Sequence, residues 1–193
     1  MINFYKPNSK NTGCGCSFKY SAKDNCVFVN LIKQASWDDA AKRGSFAANA
    51  QNPKASCSIK LNLTEMADIA SCISRNGETN LFHDSQKQVA RIKFSPYLRG
   101  SKENPDVKVQ VGFSLSVSRD NKENTQDKSS YLMGFTFGEA TQLSSFALFV
   151  LAKSFEKSIA EQDNKSNQAA PKPAAQPAQA EQAAPSQPDD DQW

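Results

Sequence analysis

The chain has 193 residues, of which 38% are hydrophobic and 22% charged, and its formal net charge is +3 at pH 7. Residues 1–161 carry 21 Lys and Arg against 15 Asp and Glu, whereas residues 162–193 carry 2 against 5. No apolar run has the roughly 20 residues of a membrane span, and no signal peptide is expected. We therefore predict an intracellular, cytoplasmic protein with a basic body, an acidic tail and a polyanionic partner rather than a membrane.

Strand-like alternation dominates the first half of the body. Apolar residues occupy alternate positions in Cys26–Lys33, and a shorter run lies at 44–47. Residues 59–63 alternate in the same way and lead into an amphipathic segment, with Asn62 or Thr64 placed to cap a helix and Glu65 in its first turn. Alternation with a period of two is typical of half-buried strands, and an early acidic residue favours a helix start. The first half therefore predicts several strands followed by one helix.

The second half repeats this order. Residues 133–145 match residues 59–71 at an offset of 74, and residues 92–94 match residues 18–20 at the same offset. Between these anchors, residues 108–118 alternate apolar and polar positions without a break. A matched offset at two separate places indicates an internal duplication rather than two unrelated strand–helix junctions.

The fold class expected from this pattern is α+β. It has two repeats of antiparallel β-strands followed by a helix, at about 1–76 and 77–161, and a disordered C-terminal tail at 162–193. Thr136 would cap the second helix, with Glu139 in its first turn. Alternation assigns five aromatic side chains to the core, namely Phe18, Phe94, Phe113, Phe135 and Phe137.

The sequence contains no recognisable pattern of the residues that usually perform catalysis or bind metal ions. Five Cys without paired spacing indicate free thiols in a reducing compartment, and zinc sites need closely spaced ligand pairs. His83 is the single histidine, and Asp84 beside it is its only acidic neighbour in sequence. Phosphate-loop, serine-hydrolase and metalloprotease motifs are absent from the sequence. We therefore predict no enzyme activity, no cofactor and no metal site.

Basic and aromatic residues are interleaved along the body. Binding of single strands needs cations for the phosphates and aromatic faces on which bases stack. Alternation points the Lys and Arg of the strands to solvent, and polar loops expose further aromatic residues. The candidate nucleic-acid-binding residues are Tyr5, Lys6, Lys19, Lys33, Trp37, Lys42, Arg43, Phe46, Lys60, Arg91, Lys93, Tyr97, Arg99 and Lys108.

The body resembles the Whirly family of single-stranded DNA-binding proteins in its twice-repeated order of strands and helix. A set of short motifs also resembles phage-encoded members of such families, namely Phe4–Pro7, Gly13, Lys33–Gln34, Trp37, Gly44–Phe46 and Phe82–His83. The stretch at 42–48 is only loosely similar to the Lys-Gly-Lys-Ala-Ala-Leu motif of plant members. The resemblance implies a phage-encoded protein that coats single-stranded DNA in replication, recombination or repair.

The end of the chain cannot form a packed core. Residues 164–188 are rich in Ala, Gln and Pro, and cannot bury enough apolar surface to offset the entropy of ordering. Three acids and an aromatic residue close the chain, namely Asp189, Asp190, Asp191 and Trp193. This end resembles the C-terminal tips of bacterial and phage single-stranded DNA-binding proteins. The resemblance implies that the tip binds replication and recombination proteins.

Three other functions fit the same features. An RNA-binding or annealing protein of similar fold would use the same cations and aromatic residues. A scaffold protein would bind an acidic protein partner through the basic face. A metal-dependent nuclease ranks last, since nothing in the sequence places the acidic side chains in a cleft that could hold a catalytic metal ion. Cooperative coating of a strand needs neighbouring copies, so we also expect a homo-oligomer.

Overall fold

The computed structural model describes residues 1–101, 104, 106–124 and 128–168. Its elements, in chain order, are β1 (Ile2–Lys6), β2 (Cys14–Ser21), β3 (Cys26–Lys33), β4 (Ser36–Asp38), β5 (Arg43–Ser45), β6 (Ser56–Leu61), α1 (Leu63–Arg75), β7 (Thr79–Asp84), β8 (Gln88–Gly100), β9 (Lys108–Asn121), β10 (Lys128–Phe135) and α2 (Phe137–Gln168). A short 3₁₀ turn, Ala47–Asn49, follows β5.

Two antiparallel sheets follow one another along the chain. Sheet 1 has the order β1-β2-β3-β6, and sheet 2 has the order β7-β8-β9-β10. Each sheet is followed by one helix, and β4 pairs with β5 in a separate hairpin. The predicted α+β fold, with strands and then a helix in two repeats, is confirmed.

The chain divides into two compact units. The first, Met1–Lys157, contains both sheets, and the described part of the second, Ser158–Trp193, is the end of α2. This helix continues to Gln168 and so includes the first seven residues of the predicted tail, 162–168, because residues 160–168 contain no Pro or Gly to stop it. The rest of the predicted tail, including its acidic tip, lies outside the described residues.

The inward faces of both sheets share one core. Four of the five aromatic residues assigned to it are buried, and the Phe94 and Phe113 rings stack with centroids 5.7 Å apart. The assignment of Phe137 is wrong, because 53% of this residue is exposed. It begins α2 instead of ending β10, so strand alternation no longer determines its direction.

The predicted unbroken alternation at 108–118 is also wrong. Tyr97 pairs with Gly112 and Leu98 pairs with Gln110, so Val111 has no partner on β8 and forms a bulge. Val109 and Val111 are exposed as a result. Gly112 has a φ of +148°, and a Cβ at this position would lie 1.9 Å from the Phe135 carbonyl oxygen. Only glycine fits where β9 approaches the end of β10.

Of the two cap candidates for the first helix, Asn62 and not Thr64 is the cap, and Thr136 caps the second helix as predicted. Asn62 Oδ1 accepts a hydrogen bond from the Glu65 N–H at 2.9 Å, and Glu65 Oε2 accepts one from the Asn62 N–H at 2.8 Å. The same reciprocal pair joins Thr136 and Glu139, at 3.3 Å and 2.8 Å. Each pair satisfies backbone donors that a helix start otherwise leaves without partners.

A crossed clasp, formed by the pairs His83–Glu65 and Lys6–Glu139, joins the two halves. His83 Nε2, on the first strand of sheet 2, lies 2.6 Å from Glu65 Oε1 of α1. Lys6 Nζ, on the first strand of sheet 1, lies 2.5 Å from Glu139 Oε1 of α2. Each half thus supplies a basic side chain to the capping glutamate of the other half's helix.

The Lys6–Glu139 half of this clasp predicts a pH dependence of stability. Burial raises the pKa of Glu139, but hydrogen bonds from Lys6 and Thr136 outweigh burial and leave it below 4.5. Such a carboxylate stabilises the fold above its unfolded pKa, and this contribution is lost as the pH falls through the lower folded value. We expect Glu139→Gln to reduce the free energy of unfolding by about 1 kcal/mol at neutral pH, since partial exposure of Lys6 weakens the pair.

Urea titrations at several pH values check this expectation. The difference between wild type and Glu139→Gln should shrink as the pH falls below about 4.5, where the carboxyl group becomes protonated. Glu156→Gln, in an exposed pair with Lys153 on α2, is the control and should change little. A constant difference down to about pH 2 would contradict the assignment.

Candidate nucleic-acid interface

The outward face of sheet 1 carries an aromatic ring between two lysines. Register places Lys19 of β2 opposite Phe28 of β3, and Phe28 opposite Lys60 of β6. Both lysines are exposed and Phe28 is half-buried. Within the described part of the chain, neither lysine forms an ion pair. Side chains opposite each other in a sheet lie about 5 Å apart, so this row combines cations with a stacking surface.

Small polar side chains form the middle of the same face. They lie in one cross-strand row, which consists of Asn3, Ser17, Asn30 and Ser58. The next row begins with Tyr5 opposite Gly15. A Cβ on Gly15 would lie 2.9 Å from the Tyr5 ring, so the missing side chain lets this ring lie against the sheet. With 57% of the residue exposed, Tyr5 presents an aromatic surface to solvent.

A buried amide fixes the β4–β5 hairpin beside this face. Gln34 is buried, with 5% of the residue exposed. Its side-chain Oε1 accepts a hydrogen bond from the Asn8 N–H at 2.9 Å. Its Nε2 donates hydrogen bonds to the carbonyl oxygens of Asn8 and Ser36, both at 2.9 Å. Gly13 and Gly44 pack on this amide, where a Cβ on either residue would come within 3 Å of it. Several of the motifs singled out in the sequence thus hold the loop after β1 against the hairpin.

The hairpin itself carries four of the predicted residues. The Phe46 ring lies 5.5 Å from that of Tyr5, which continues the aromatic surface of sheet 1. Trp37 is half-buried, and its Nε1 donates to Asp39 Oδ1 at 3.1 Å. Lys42 and Arg43 are exposed at the turn, where Lys42 Nζ lies 3.7 Å from Asp39. Sequence alone could not place these residues beside Tyr5, because their position depends on the Gln34 contacts.

A groove crosses the outward face of sheet 1, which we call the sheet 1 groove. It encloses about 520 Å³, and its lining includes Tyr5, Ser17, Asn30, Gln51, Pro53 and Arg119. Arg119 reaches the groove from sheet 2, and its Nη2 donates to the Pro53 carbonyl oxygen at 3.3 Å. The sequence did not point to Arg119 or Asn30, since only the packing of β9 against the loop at 50–55 brings them together.

The outward face of sheet 2 is a second, weaker candidate. Arg91 lies over the Phe82 ring, 6.0 Å from its centroid, and ion-pairs with Asp120 at 2.7 Å. Lys93 pairs with Glu78 at 2.8 Å, and hydrogen bonding by Lys93 lowers the pKa of Glu78. Because these exposed ion pairs are weak, a phosphate could replace the carboxylates, but breaking the pairs would reduce the affinity for a strand. Phe82, 61% exposed, is a stacking surface that the predicted residues omitted.

A cavity of about 460 Å³ adjoins the bulge of β9. Tyr97, Arg99 and Lys6 contribute to its lining, and the Arg99 guanidinium lies 5.9 Å from the Tyr97 ring centroid. Lys108 is exposed opposite Gly100. These predicted residues therefore lie together, but apart from the row formed by Lys19, Phe28 and Lys60.

Two of the predicted cations point inward. Lys6 is engaged by Glu139 in the crossed clasp, and Lys33 is half-buried, with its Nζ 5.2 Å from the centroid of the Tyr131 ring. Their positive charges are directed at protein groups, so we expect them to contribute less to a strand on the surface than Lys19 and Lys60.

All five cysteines are free thiols, not joined in disulfide bonds, and all are buried. Burial raises the pKa of Cys14 and of Cys57 to about 11, which keeps both thiols protonated at neutral pH. In the described ranges, no three His, Cys, Asp or Glu side chains are grouped so as to hold a metal ion. Over the same ranges, neither helix is both long enough and apolar enough to cross a membrane.

Comparison with known proteins relates the chain to a number of solved structures, including three plant proteins. The plant transcriptional regulator PBF-2 is 16% identical, with a TM-score of 0.55 over 86% of this chain and 87% of that one. WHY3 and WHY1 from Arabidopsis thaliana are 16% and 15% identical, with TM-scores of 0.54 and 0.56. They cover 86% and 91% of this chain, and 95% and 96% of their own. No family model and no curated protein matches the chain. The likenesses confirm the Whirly-like fold.

Proposed function

We propose that the protein is a non-catalytic single-stranded DNA-binding protein. The main support is the row of Lys19, Phe28 and Lys60, in which an aromatic ring lies between two lysines. Neither lysine has an ion-pair partner among the described residues. Stacking contributes about 1–3 kcal/mol per base, and lysines neutralise phosphates. The fold shared with PBF-2, whose structure is described as that of a plant transcriptional regulator, is consistent with a nucleic-acid ligand.

The rows of sheet 1 suggest a path for the strand. Phe28 and Ile32 are four residues apart on β3, so the row of Phe28 and the row of Tyr5 are separated by about 13 Å. We propose that a strand crosses this face from Phe28 to Tyr5, continues onto the hairpin at Phe46 and Trp37, and has sheet 2 as a secondary contact. Lys60 and Phe82 line one cavity of about 440 Å³, which would connect the two faces.

Titration of labelled oligo-dT at two salt concentrations tests the proposal. We expect binding whose affinity falls with salt, since phosphate contacts release counterions, with a residual part from stacking. The bound strand should also quench the fluorescence of Trp37. This is measured in a Trp193→Phe background, so that the tail does not contribute to the signal. Absence of binding at low salt by a folded protein would overturn the proposed function, and a stronger response to a matched RNA would favour the RNA-binding alternative.

In the cell, the proposed role is to coat exposed strands during replication, recombination or repair. The five unbonded thiols favour a reducing compartment, so we place this role in the cytoplasm, of the host cell if the protein is phage-encoded. The acidic tip at 189–193 would recruit other proteins of these processes.

Deleting residues 189–193 separates the two proposed binding activities. The deletion removes three carboxylates that compete with DNA for the basic body, so the affinity for oligo-dT should stay equal or rise a few-fold. Binding of replication and recombination proteins, compared between immobilised full-length and truncated protein, should be lost. A folded truncated protein that no longer binds DNA would contradict this role for the tail.

We also propose that copies associate through α2. Leu148 and Phe155 are 59% and 64% exposed and lie seven residues apart, which places them on one face of the helix. We expect Leu148→Ser with Phe155→Ser to convert an oligomer to monomers in light scattering after size exclusion, because the substitutions remove the apolar contact. Glu156→Ser, at the exposed position directly after Phe155, should leave the mass unchanged. A monomeric wild type would contradict the proposal.

A further inference from the structure

We propose that the sheet 1 groove selects the base that it holds, and that this base is adenine. The inference rests on the proposed function, because it concerns the same face of sheet 1. It adds a preference at one nucleotide position to a protein whose stacking and phosphate contacts are otherwise independent of sequence.

Tyr5 supplies a stacking surface at one end of the groove. Its ring lies against Gly15 and is supported by Phe46, whose centroid is 5.5 Å away. A ring fixed on both sides loses little entropy when a base stacks on it. The groove encloses about 520 Å³, which is room for one base with its sugar and phosphate.

Two side-chain amides in the groove have unused hydrogen-bonding groups. The single side-chain hydrogen bond of Asn30 within the described ranges is a long one, from Nδ2 to Ser17 Oγ at 3.4 Å. Its Oδ1 and second N–H therefore have no partner among the described residues, and Asn30 and the exposed Gln51 both line the groove. An Asn or Gln amide pairs its donor and acceptor with N7 and N6 of adenine, which makes adenine the matching base.

The other lining groups disfavour the competing bases. The described lining contains no carboxylate, the group that reads the amino group of cytosine. A guanidinium reads guanine, but the Arg119 guanidinium already donates to the Pro53 carbonyl oxygen. We assign the remaining N–H groups of Arg119 to the phosphate of the bound nucleotide.

Sheet 2 lacks an equivalent of this arrangement. The central positions of its outward face are occupied by Ser116 and Ser118, whose hydroxyls rotate and bind any base edge. Its exposed amide, Asn80, is on the edge strand opposite Lys93. Asn80 is therefore a matched control for Asn30.

Four oligonucleotides test the inference, each a 12-residue dT tract with dA, dC, dG or dT at one central position. We expect wild type to bind the dA oligonucleotide about tenfold more tightly than the others, the discrimination of one bidentate contact. Asn30→Ala should reduce this ratio to about twofold or less, and Asn30→Asp should shift the preference to dC, since a carboxylate accepts from its amino group. Asn80→Ala should retain the preference for dA.

The outcomes separate this inference from the proposed function. Equal binding of all four oligonucleotides, or a preference for dA that survives in Asn30→Ala, overturns the adenine pocket but leaves single-strand binding intact. A preference for another base overturns it as well. Failure of wild type to bind any of the four overturns the proposed function itself. Thermal melting should be unchanged in each variant, because Asn30 and Asn80 are exposed.

Discussion

Replacing Phe28 with Ala is expected to weaken the binding of oligo-dT by about 10- to 100-fold. The ring is the one aromatic side chain in the row between Lys19 and Lys60, and loss of a stacked base costs about 1–3 kcal/mol. Fluorescence anisotropy with a labelled oligonucleotide measures the change. Phe28→Tyr keeps a ring of the same size and should restore most of the affinity.

The lysines of this row should behave differently from the ring. Lys19→Gln with Lys60→Gln removes two phosphate contacts, so the slope of log affinity against log salt should become shallower by about 1.4. Lys87→Gln with Lys153→Gln changes the charge equally at positions on a turn of sheet 2 and on α2, and should leave the slope nearly unchanged. If Phe28→Ala binds as tightly as wild type while its melting temperature is preserved, the strand does not stack on Phe28.

Replacing Gly112 with Ala is expected to have the largest effect on stability. The added Cβ would lie 1.9 Å from the Phe135 carbonyl oxygen, and the φ of +148° suits almost no other residue. Strain and overpacking together should cost about 3–5 kcal/mol, which lowers the melting temperature of a domain of this size by about 6–20 °C. Thermal denaturation followed by circular dichroism measures this shift.

A second glycine provides the matched control. Gly138 lies in the first turn of α2, where a Cβ would meet nothing within 4 Å. Gly138→Ala should therefore be neutral or stabilise the protein by up to about 1 kcal/mol, because alanine favours helix. Equal melting temperatures of the two variants would show that β9 and β10 separate readily at the bulge, contrary to the packing described above.

Local pattern was sufficient to predict most of the secondary structure. Asn62 with Glu65, and Thr136 with Glu139, mark both helix starts because a capping box involves residues only three positions apart. The bulge at Val111 departed from prediction for the opposite reason. The approach of β9 to β10 depends on residues distant in sequence, and alternation does not reveal it.

The candidate interface was less accessible to prediction. Phe28 lies between Val27 and Val29, so the sequence shows only an apolar run, and its position between two lysines depends on cross-strand register. Lys6 is of the residue type that contacts phosphates, yet it forms an ion pair with Glu139 of the other half. Residue type was therefore informative for the class of ligand, whereas pairing between strands determined which side chains can reach it.

The crossed clasp has a consequence for how such a chain could have arisen. Its two contacts are reciprocal, since each half gives a basic side chain from its first strand and receives one at its helix cap. Reciprocity of this kind is the hallmark of a two-fold symmetric pair of identical subunits. Gene duplication and fusion of an ancestral homodimer would preserve it, and the difference between His83 and Lys6 would then record the divergence of two copies that were once the same.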